Sequence, residues 1–268
     1  MRAIKNTLRY IRLYYYFVRF SFMRAMEFRV DFTFRIFMDV IYYAVNIALY
    51  KIIFLHTDQL GGWNENEALI FVAGYLLADS IYMTVFANNL WWLPYFINRG
   101  DLDYYLVRPV SSLFFLSLRD FAANSTINIL AAVGIFAWAT LTYQNHFYWY
   151  QLIVYIVLIF NGAFLFFLIS LASLIPVFWI HGGRGLQSLV WSLQRFMERP
   201  DRIFYGWVRR ILVSVLPFAL IASVPAHFFL DQPDWTLIVH ISAVSTGLFL
   251  LVYWFWRRGL RAYSSASS

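Results

Sequence analysis

Two carboxylates interrupt long apolar stretches of this chain, and they are the first candidates for chemistry. Asp79 lies near the middle of the apolar stretch Ala68–Trp92, and Asp39 lies in the stretch Phe32–Leu55. An ionisable group at membrane depth is costly and by default marks a functional site, such as a proton relay or a substrate path. Asp79 therefore predicts either a functional carboxylate or a structural contact between helices.

A second polar group recurs at four-residue spacing in Asp120, Asn124 and Asn128. On a helix these side chains share one face. Such a stripe faces another helix or a water-filled cavity rather than lipid. We consider two alternatives, which are contact between helices and, together with Asp79, the lining of a translocation path.

The chain lacks the motifs of an autonomous pump or of a hydrolytic enzyme. No Gly-x-x-x-x-Gly-Lys-Ser/Thr phosphate loop, His-Glu-x-x-His pair or Gly-x-Ser-x-Gly turn occurs in the sequence. The five histidines show no metal-ligand spacing, and there is no cysteine. We therefore expect no catalytic residue, no metal site and no cofactor bound by this chain itself.

The composition predicts an all-α integral membrane protein. Hydrophobic residues make up 62% of the chain and charged residues 13%, whereas soluble domains have about 45–50% and about 25%. A chain of 268 residues can hold roughly six spans of about 20 residues with their connections. This leaves no room for a separate soluble enzyme domain.

The long apolar stretches locate most of these spans. The clear ones are Phe32–Leu55, Ala68–Trp92, Leu116–Leu141, Tyr150–Ile180 and Trp235–Trp256.

The fifth span is ambiguous from the sequence. Either Ile211–Leu230 crosses the membrane, or Leu186–Met197 crosses and residues 200–230 form a re-entrant hairpin on the outer side. The hairpin is favoured by three prolines, Pro200, Pro217 and Pro225. The single span is favoured by the arginines of this region, which it would leave on the inner side. Both alternatives give six crossings and place both termini on the same side.

The distribution of charge predicts on which side of the membrane the two termini lie. The net charge of +7 is carried almost wholly by arginines at the ends of apolar stretches, which suits the positive-inside rule and lipid headgroups rather than nucleic acid. The loop between the first two spans has no Lys or Arg and is predicted to lie outside, so both termini are cytoplasmic. Residues 1–31 alternate apolar residues with arginines and predict an amphipathic helix in the membrane interface, with no cleaved signal peptide.

The segment Ile97–Ser112 is the longest charged interruption between two apolar stretches. It contains Arg99, Asp101, Asp103 and Arg108, with Gly100 near one end and Pro109 near the other. On the cytoplasmic side, a polar segment of this kind is a candidate docking surface for a soluble partner.

Three stretches of the sequence are similar to a known family. They are GDLDYYLVRPVSSLF at Gly100–Phe114, RAMEFRVDF at Arg24–Phe32, and RPDRIFYGWVRRILVSVLPFALIASVPA at Arg199–Ala226. With them the chain resembles the ABC type-2 export permeases, specifically the bacterial six-span branch. Asp39 and Asp79 match no pattern of that family.

The resemblance implies an architecture. Residues 1–31 would form an interfacial helix and residues 32–268 a six-span transmembrane domain. Within it, 97–112 would be a cytoplasmic coupling helix and 200–230 the outer re-entrant hairpin before the last span. The chain would lie in the cytoplasmic (inner) membrane of a bacterium and contact its lipids.

The resemblance also implies partners and an activity. A second permease, either a copy or a paralogue, and two separate ATPase subunits that bind ATP and Mg would complete the exporter. The coupling residues would include Gly100 and Pro109, with polar contacts to the ATPase from Arg99, Asp101, Asp103 and Arg108 and buried anchors from Leu102, Tyr104, Tyr105 and Leu106. The path would run between the permeases, lined by the second and fifth spans, and would suit an amphipathic or lipid-like cargo.

The alternative is an ATP-independent, proton-linked transporter or membrane enzyme that uses Asp79. The absence of a nucleotide motif fits both hypotheses. The observation that separates them is whether an ATPase subunit binds this chain.

Overall fold

Helices joined by short connections form the described part of the chain. The computed structural model describes residues 2–27, 29–180, 184–231 and 233–264. The helices of the first half are α1 (Arg2–Glu27), α2 (Arg29–Phe54), α3 (Glu65–Tyr82), α4 (Asn88–Arg99), α5 (Asp103–Leu106), α6 (Ser112–Leu118) and α7 (Thr126–Thr142). Those of the second half are α8 (Trp149–Leu174), α9 (Val177–Ile180), α10 (Arg184–Gln194), α11 (Gly206–Ser214), α12 (Ser223–Leu230) and α13 (Trp235–Ala262). Within these ranges no strand forms, which confirms the predicted all-α class.

Five helical segments of the described chain are long and apolar enough to cross a membrane. They are Phe32–Phe54, Glu65–Arg99, Ala123–Thr142, Trp149–Ile180 and Trp235–Ala262. These correspond to the five clear apolar stretches of the sequence, so the chain is a multi-pass membrane protein. Most of the window in Glu65–Arg99 is buried, whereas the windows in the first and last segments are largely exposed.

The segment Glu65–Arg99 is the central helix of the fold. It begins at a capping box, in which Asn64 and Glu67 each accept a hydrogen bond from the other's backbone N–H at 3.0 and 2.9 Å. A π-helical turn at Met83–Ala87 joins α3 to α4. The central helix ends at Gly100, whose φ of 82° favours glycine.

The predicted continuous helix over Leu116–Leu141 is wrong. Helix α6 ends at Leu118, and helical structure resumes only at Ala123. The break is stable because its backbone groups bond to the central helix. The amide of Asn89 donates to the Asp120 carbonyl at 3.0 Å and accepts from the Asp120 N–H at 2.8 Å. The Ala122 N–H donates to the Thr84 carbonyl at 2.8 Å.

Helices α8 and α13 run parallel, and this defines the two ends of the bundle. Their starts meet at Tyr150 and Trp235, with ring centroids 6.3 Å apart. At the other end Phe178 of α9 meets Trp256 at 5.6 Å. We call the end with Trp256 basal and the other end distal. At the basal end Trp256 also donates to the Ser112 hydroxyl at 3.3 Å, so the segment Ile97–Ser112 lies at that end. The chain between α9 and α13 must therefore return from the basal to the distal end.

The segment that makes this return runs through α10. Trp191 of α10 lies against Trp91 of the central helix, with centroids 6.2 Å apart. By Glu198 the chain has reached Tyr50, whose hydroxyl donates to the Glu198 carbonyl at 2.5 Å. Helix α10 has 11 residues and is about 16 Å long, so it is shorter than the five segments above.

Residues 200–230 enter the bundle and leave it at the same end. Arg202 and Asp231 form an ion pair at 2.5 Å across the two ends of the segment. Between them α11 and α12 are separated by a bend at Pro217, which has no N–H to continue the helix. The bend brings the Ile221 carbonyl against Gly162 of α8. The alternative of one spanning helix over Ile211–Leu230 is therefore wrong.

A buried polar network closes the mouth of this segment. Asp201 is 1% exposed and accepts from Ser223 Oγ at 2.5 Å and Arg209 Nε at 2.7 Å, with His227 Nε2 also at 2.7 Å. Burial raises the pKa of the Asp201 carboxyl. The hydrogen bond and charge of His227, followed by hydrogen bonds from Ser223 and Arg209, outweigh burial, so this pKa lies well below its usual range.

The close approach at Gly162 predicts the effect of one added methyl group. A Cβ at Gly162 would lie 2.2 Å from the Ile221 carbonyl oxygen, so Gly162→Ala must displace the bend. We expect it to cost about 1–3 kcal/mol of stability, measured as a lower midpoint of thermal unfolding in detergent. The matched control is Gly247→Ala in α13, where a Cβ meets nothing within 4 Å and the midpoint should hold or rise. Equal unfolding midpoints for the two variants would contradict the close packing of the Ile221 carbonyl against Gly162.

The Asp201 network predicts a pH-dependent stability. A depressed pKa in the folded state gives stability that is present above the unfolded pKa and is lost as the pH falls toward the folded pKa. Asp201→Asn should therefore lower the unfolding midpoint most near pH 7, and the difference from the natural chain should shrink below about pH 4. Asp58→Asn, at an exposed loop position, is the control and should show no such difference. A pH-independent effect of Asp201→Asn would mean that the carboxylate charge is not what stabilises the segment.

Candidate functional site

A cavity with a volume of about 540 Å³ lies beside Asp79. Helix α2, the central helix, the start of α7 and the chain around α10 form its walls. Three of the residues predicted to line a path, Asp79, Asn124 and Asn128, meet here. Asp39 joins them, so the two carboxylates that are far apart in sequence share one cavity.

The π-helical turn shapes this cavity, and nothing in the sequence pattern indicated it. Thr84 in that turn donates to the Ser80 carbonyl at 2.7 Å and also lies 3.1 Å from the Ser125 carbonyl. The contact with Ser125 joins the central helix to the chain that leads directly into α7. π-turns inside α-helices are rare and occur frequently at functional sites. Met83 and Ala87, its first and last residues, both line the cavity.

The polar groups of the cavity differ in their partners. Asn128 donates to Asp39 Oδ2 at 2.5 Å. The hydroxyls of Tyr42 and Tyr75 lie 3.0 Å apart. Asp79 is 7% exposed as a residue, and no hydrogen bond or ion pair joins its carboxylate to any residue that the structure describes. Asp79 is therefore the buried charged group of this cavity that the described chain leaves without a partner.

Asp120 lies elsewhere. Its carboxylate forms an ion pair with Arg24 of α1. It lines a second cavity of about 320 Å³, which it shares with Asn124 but not with Asp79 or Asn128. The predicted stripe of Asp120, Asn124 and Asn128 on one helical face does not form, because the helix is broken between Leu118 and Ala123. Asp120 connects α1 to this break.

The segment Ile97–Ser112 forms a short turn of helix at the basal end. Helix α5 is four residues long and lies between Gly100 and Pro109. Its two arginines stack on tyrosines: Arg99 lies 4.7 Å from the Tyr95 ring and Arg108 lies 4.7 Å from the Tyr104 ring. Within the described chain no ion pair joins the arginines and aspartates of this segment.

Exposure divides the predicted coupling residues into two groups. Those on the surface are Arg99, Asp101, Tyr104, Arg108 and Pro109, with Asp103 half-buried. Leu102 is 0% exposed, so its prediction as an anchor for a partner is wrong: the chain's own core covers it. Tyr105 packs on Phe115 at 5.7 Å and stacks against Arg119 at 4.5 Å. The exposed apolar side chains available to a partner are instead Tyr104 and Val107.

Helix α1 packs along the chain that follows this segment, a contact that periodicity does not reveal. Arg9 donates to the Pro109 carbonyl at 2.9 Å, and the Tyr10 hydroxyl accepts from the Ser111 N–H at 3.1 Å. Further along, Ser21 Oγ accepts from the Phe121 N–H at 3.1 Å. Between these contacts Phe17 meets Phe115 edge to face, with ring centroids 5.1 Å apart. Helix α1 thus braces residues 109–121 along most of its length.

Comparison with known proteins identifies the family. The model of the family described as ABC-2 family transporter protein matches residues 40–267. The chain belongs to this ABC-2 family. The match covers the central helix, the segment Ile97–Ser112 and the segment 200–230. It also covers most of the residues that line the Asp79 cavity, but it begins one residue after Asp39. No curated protein and no solved structure matched the chain.

Membership of the ABC-2 family defines the general role of the chain. It is a membrane component of a transporter, a permease, and is not itself the catalyst of ATP hydrolysis. The family implies partnership with an ABC ATPase subunit. The two features that such a role requires, a polar cavity among the helices and an exposed polar segment at one end, are both present in the described chain.

The Asn89 contacts predict what holds the helix break. Asn89→Leu removes both hydrogen bonds to the Asp120 backbone and leaves partly buried N–H and C=O groups without partners. An unsatisfied buried group costs about 1–3 kcal/mol, so the unfolding midpoint in detergent should fall. Asn98→Leu, at an exposed position on the same helix, is the matched control and should leave the midpoint nearly unchanged. If both variants behave alike, the break does not depend on Asn89.

Proposed function

We propose that this chain is the permease subunit of an ATP-binding cassette exporter, in which separate ATPase subunits drive an amphipathic or lipid-like substrate across the cytoplasmic membrane. The observation that carries the proposal is the coupling segment of an ABC-2 chain. Its charged side chains Arg99, Asp101 and Arg108 are exposed, form no ion pairs with one another, and stand on a base braced by α1 and the central helix. Exposed charges that are not paired within the segment are available to a partner.

The topology that we propose has six crossings. Five segments are long enough to span, and the chain through α10 supplies the sixth, because it passes from the basal to the distal end. Its short helix continues in irregular chain, which at membrane depth must be covered by protein or line a cavity; residues 194, 195, 197 and 198 of this chain line the Asp79 cavity. Residues 200–230 then form a re-entrant hairpin at the distal, outer side. The loop at 55–64, which has no Lys or Arg, is also outer, and both termini are cytoplasmic in a bacterial inner membrane.

A second permease and two ATPase subunits complete the proposed assembly. The apolar faces of α2 and α13 are largely exposed, which suits lipid on one side and a second permease, either a copy or a paralogue, on another. The Asp79 cavity is walled by the second span and by the chain around α10. It therefore lies where a path between two permeases, lined by the second and fifth spans, would run.

The proposed coupling follows from the contacts of Arg119. Its guanidinium lies 4.7 Å from the Phe96 ring and 4.5 Å from the Tyr105 ring, so it ties the coupling segment to the end of the central helix. The next residue, Asp120, is held by Asn89 and Arg24. Closure of the ATPases on ATP would push the segment as a rigid unit, and the displacement would reach the helix break beside the Asp79 cavity.

A paired charge reversal tests the docking assignment. Both Asp101 and Arg108 are exposed, so Asp101→Arg with Arg108→Glu reverses the surface charges without altering the core. Juxtaposed like charges cost several kcal/mol, so recovery of an ABC ATPase with the tagged permease should fall more than tenfold, as should stimulated ATP hydrolysis.

The matched control places the same change at the distal end. Asp58→Arg with Arg210→Glu alters two exposed residues there and should retain the ATPase. Full retention of the ATPase by the Asp101/Arg108 variant would overturn the coupling assignment. Transport in liposomes without any ATPase or ATP, lost in Asp79→Asn, would favour the proton-linked alternative instead.

A further inference from the structure

We propose that the Asp79 cavity binds an organic cation that carries an apolar body, and that Asp79 is its counter-charge. This rests on the proposed transport function and names the class of its cargo. A cationic group is required by the charge of the cavity, and an apolar body is required by its walls. The following observations carry each part.

The first observation is the state of Asp79. The residue is 7% exposed and lines the cavity, and it has no hydrogen-bond or ion-pair partner within the described ranges. A buried carboxylate without a partner is unfavourable. Such a cost at the centre of the core is offset when a ligand supplies the missing positive charge.

The second observation is the balance of charge. Three carboxylates line the cavity, from Asp39, Asp79 and Glu198, against two guanidinium groups from Arg35 and Arg195. The arginines stand at exposed positions, whereas Asp79 is buried. Asp39 already accepts a hydrogen bond from Asn128. The electrostatic potential of the cavity is therefore most negative beside the buried Asp79, because solvent and salt screen buried charges less than exposed ones.

The third observation is the wall of the cavity. Aromatic side chains from α2, the central helix and α10 line it, namely Tyr42, Tyr43, Tyr75, Trp91 and Trp191. Trp91 lies twelve residues along the central helix from Asp79, about 18 Å, so the aromatic lining extends from the carboxylate to the pair Trp91–Trp191. Aromatic rings attract cations and at the same time bury apolar groups. A cavity that combines a carboxylate with aromatic walls is suited to an organic cation such as a quaternary ammonium or phosphonium group. An inorganic cation would instead need several oxygen ligands, and the described residues contain no cluster that could hold a metal.

Depth agrees with this assignment. Asp79 lies near the middle of the 35-residue segment Glu65–Arg99, which places it near the centre of the bilayer. A permanent cation crosses lipid poorly because of its charge. A buried carboxylate halfway across gives such a cation a site where its charge is neutralised.

The test uses two probes of the same shape and opposite charge, tetraphenylphosphonium and tetraphenylborate. Binding to the purified full-length permease in detergent is followed by equilibrium dialysis and by quenching of tryptophan fluorescence, since Trp91 and Trp191 line the cavity. We expect the phosphonium to bind and the borate to bind at least tenfold more weakly. Equal binding of the two probes overturns the proposal without any variant being made.

Variants then locate the charge. Asp79→Asn keeps the shape of the side chain and should weaken phosphonium binding at least tenfold, whereas borate binding should hold or rise because the repelling carboxylate is gone. Asp79→Glu should restore most of the phosphonium affinity. Asp58→Asn, which removes a carboxylate from an exposed loop, is the control and should bind the phosphonium as the natural chain does. Unchanged phosphonium affinity in Asp79→Asn overturns the proposal.

These results are separable from the proposed transport function. The binding assay contains no ATPase, and recovery of the ATPase with Asp79→Asn reports on folding and docking alone. Retained ATPase with no phosphonium binding by the natural chain overturns the cation assignment and leaves the exporter role intact. Phosphonium binding by a chain that recovers no ATPase supports the cation site and counts against the exporter.

Discussion

Every interruption of a helix inside a membrane leaves backbone N–H and C=O groups that lipid cannot satisfy, and this constraint organises the fold. At residues 119–122 the side-chain amide of Asn89 hydrogen-bonds to both the N–H and the C=O of Asp120, and the Thr84 carbonyl accepts a hydrogen bond from the Ala122 N–H. The Thr84 hydroxyl in turn approaches the Ser125 carbonyl. The break is therefore a hydrogen-bonded joint that connects the chain after Ile97–Ser112 to helix α1 and to the Asp79 cavity.

The same constraint explains the segment 200–230 at the distal end. Its bend at Pro217 is covered by α8, where Gly162 leaves room for the Ile221 carbonyl. Its mouth is closed by the Asp201 network, in which each charge faces an opposite charge or a histidine. Asp79 differs from these groups, because it is buried as Asp201 is but has no partner within the described chain. That contrast between a satisfied and an unsatisfied buried carboxylate is the basis of the ligand proposed here.

Much of the fold follows from the sequence, because long apolar stretches have few alternatives to a helix in lipid. The all-α class and the five long segments agree with what the sequence indicates. The structure also brings Asp79, Asn124 and Asn128 to one cavity, while their role in a path stays a prediction. The helix break was not predicted, since four-residue spacing assumes a continuous helix and the side chain that interrupts it, Asn89, is 31 residues away in sequence. The packing of α1 along residues 109–121 and the burial of Leu102 were missed for a similar reason. Amphipathic periodicity says which face is apolar but not whether lipid or protein covers it.

The central claim is that Ile97–Ser112 docks an ABC ATPase, and cross-linking tests it most directly. The chain has no cysteine, so a single cysteine can be placed at exposed Asp101 or, as the reference, at exposed Asp58 and labelled with a photoreactive maleimide. Illumination of native membranes should join the Asp101→Cys chain to an ABC ATPase, identified by mass spectrometry, with a yield that changes when ATP is added. The Asp58→Cys chain should give no such product. An ATPase adduct from Asp58→Cys, with none from Asp101→Cys, would contradict the account.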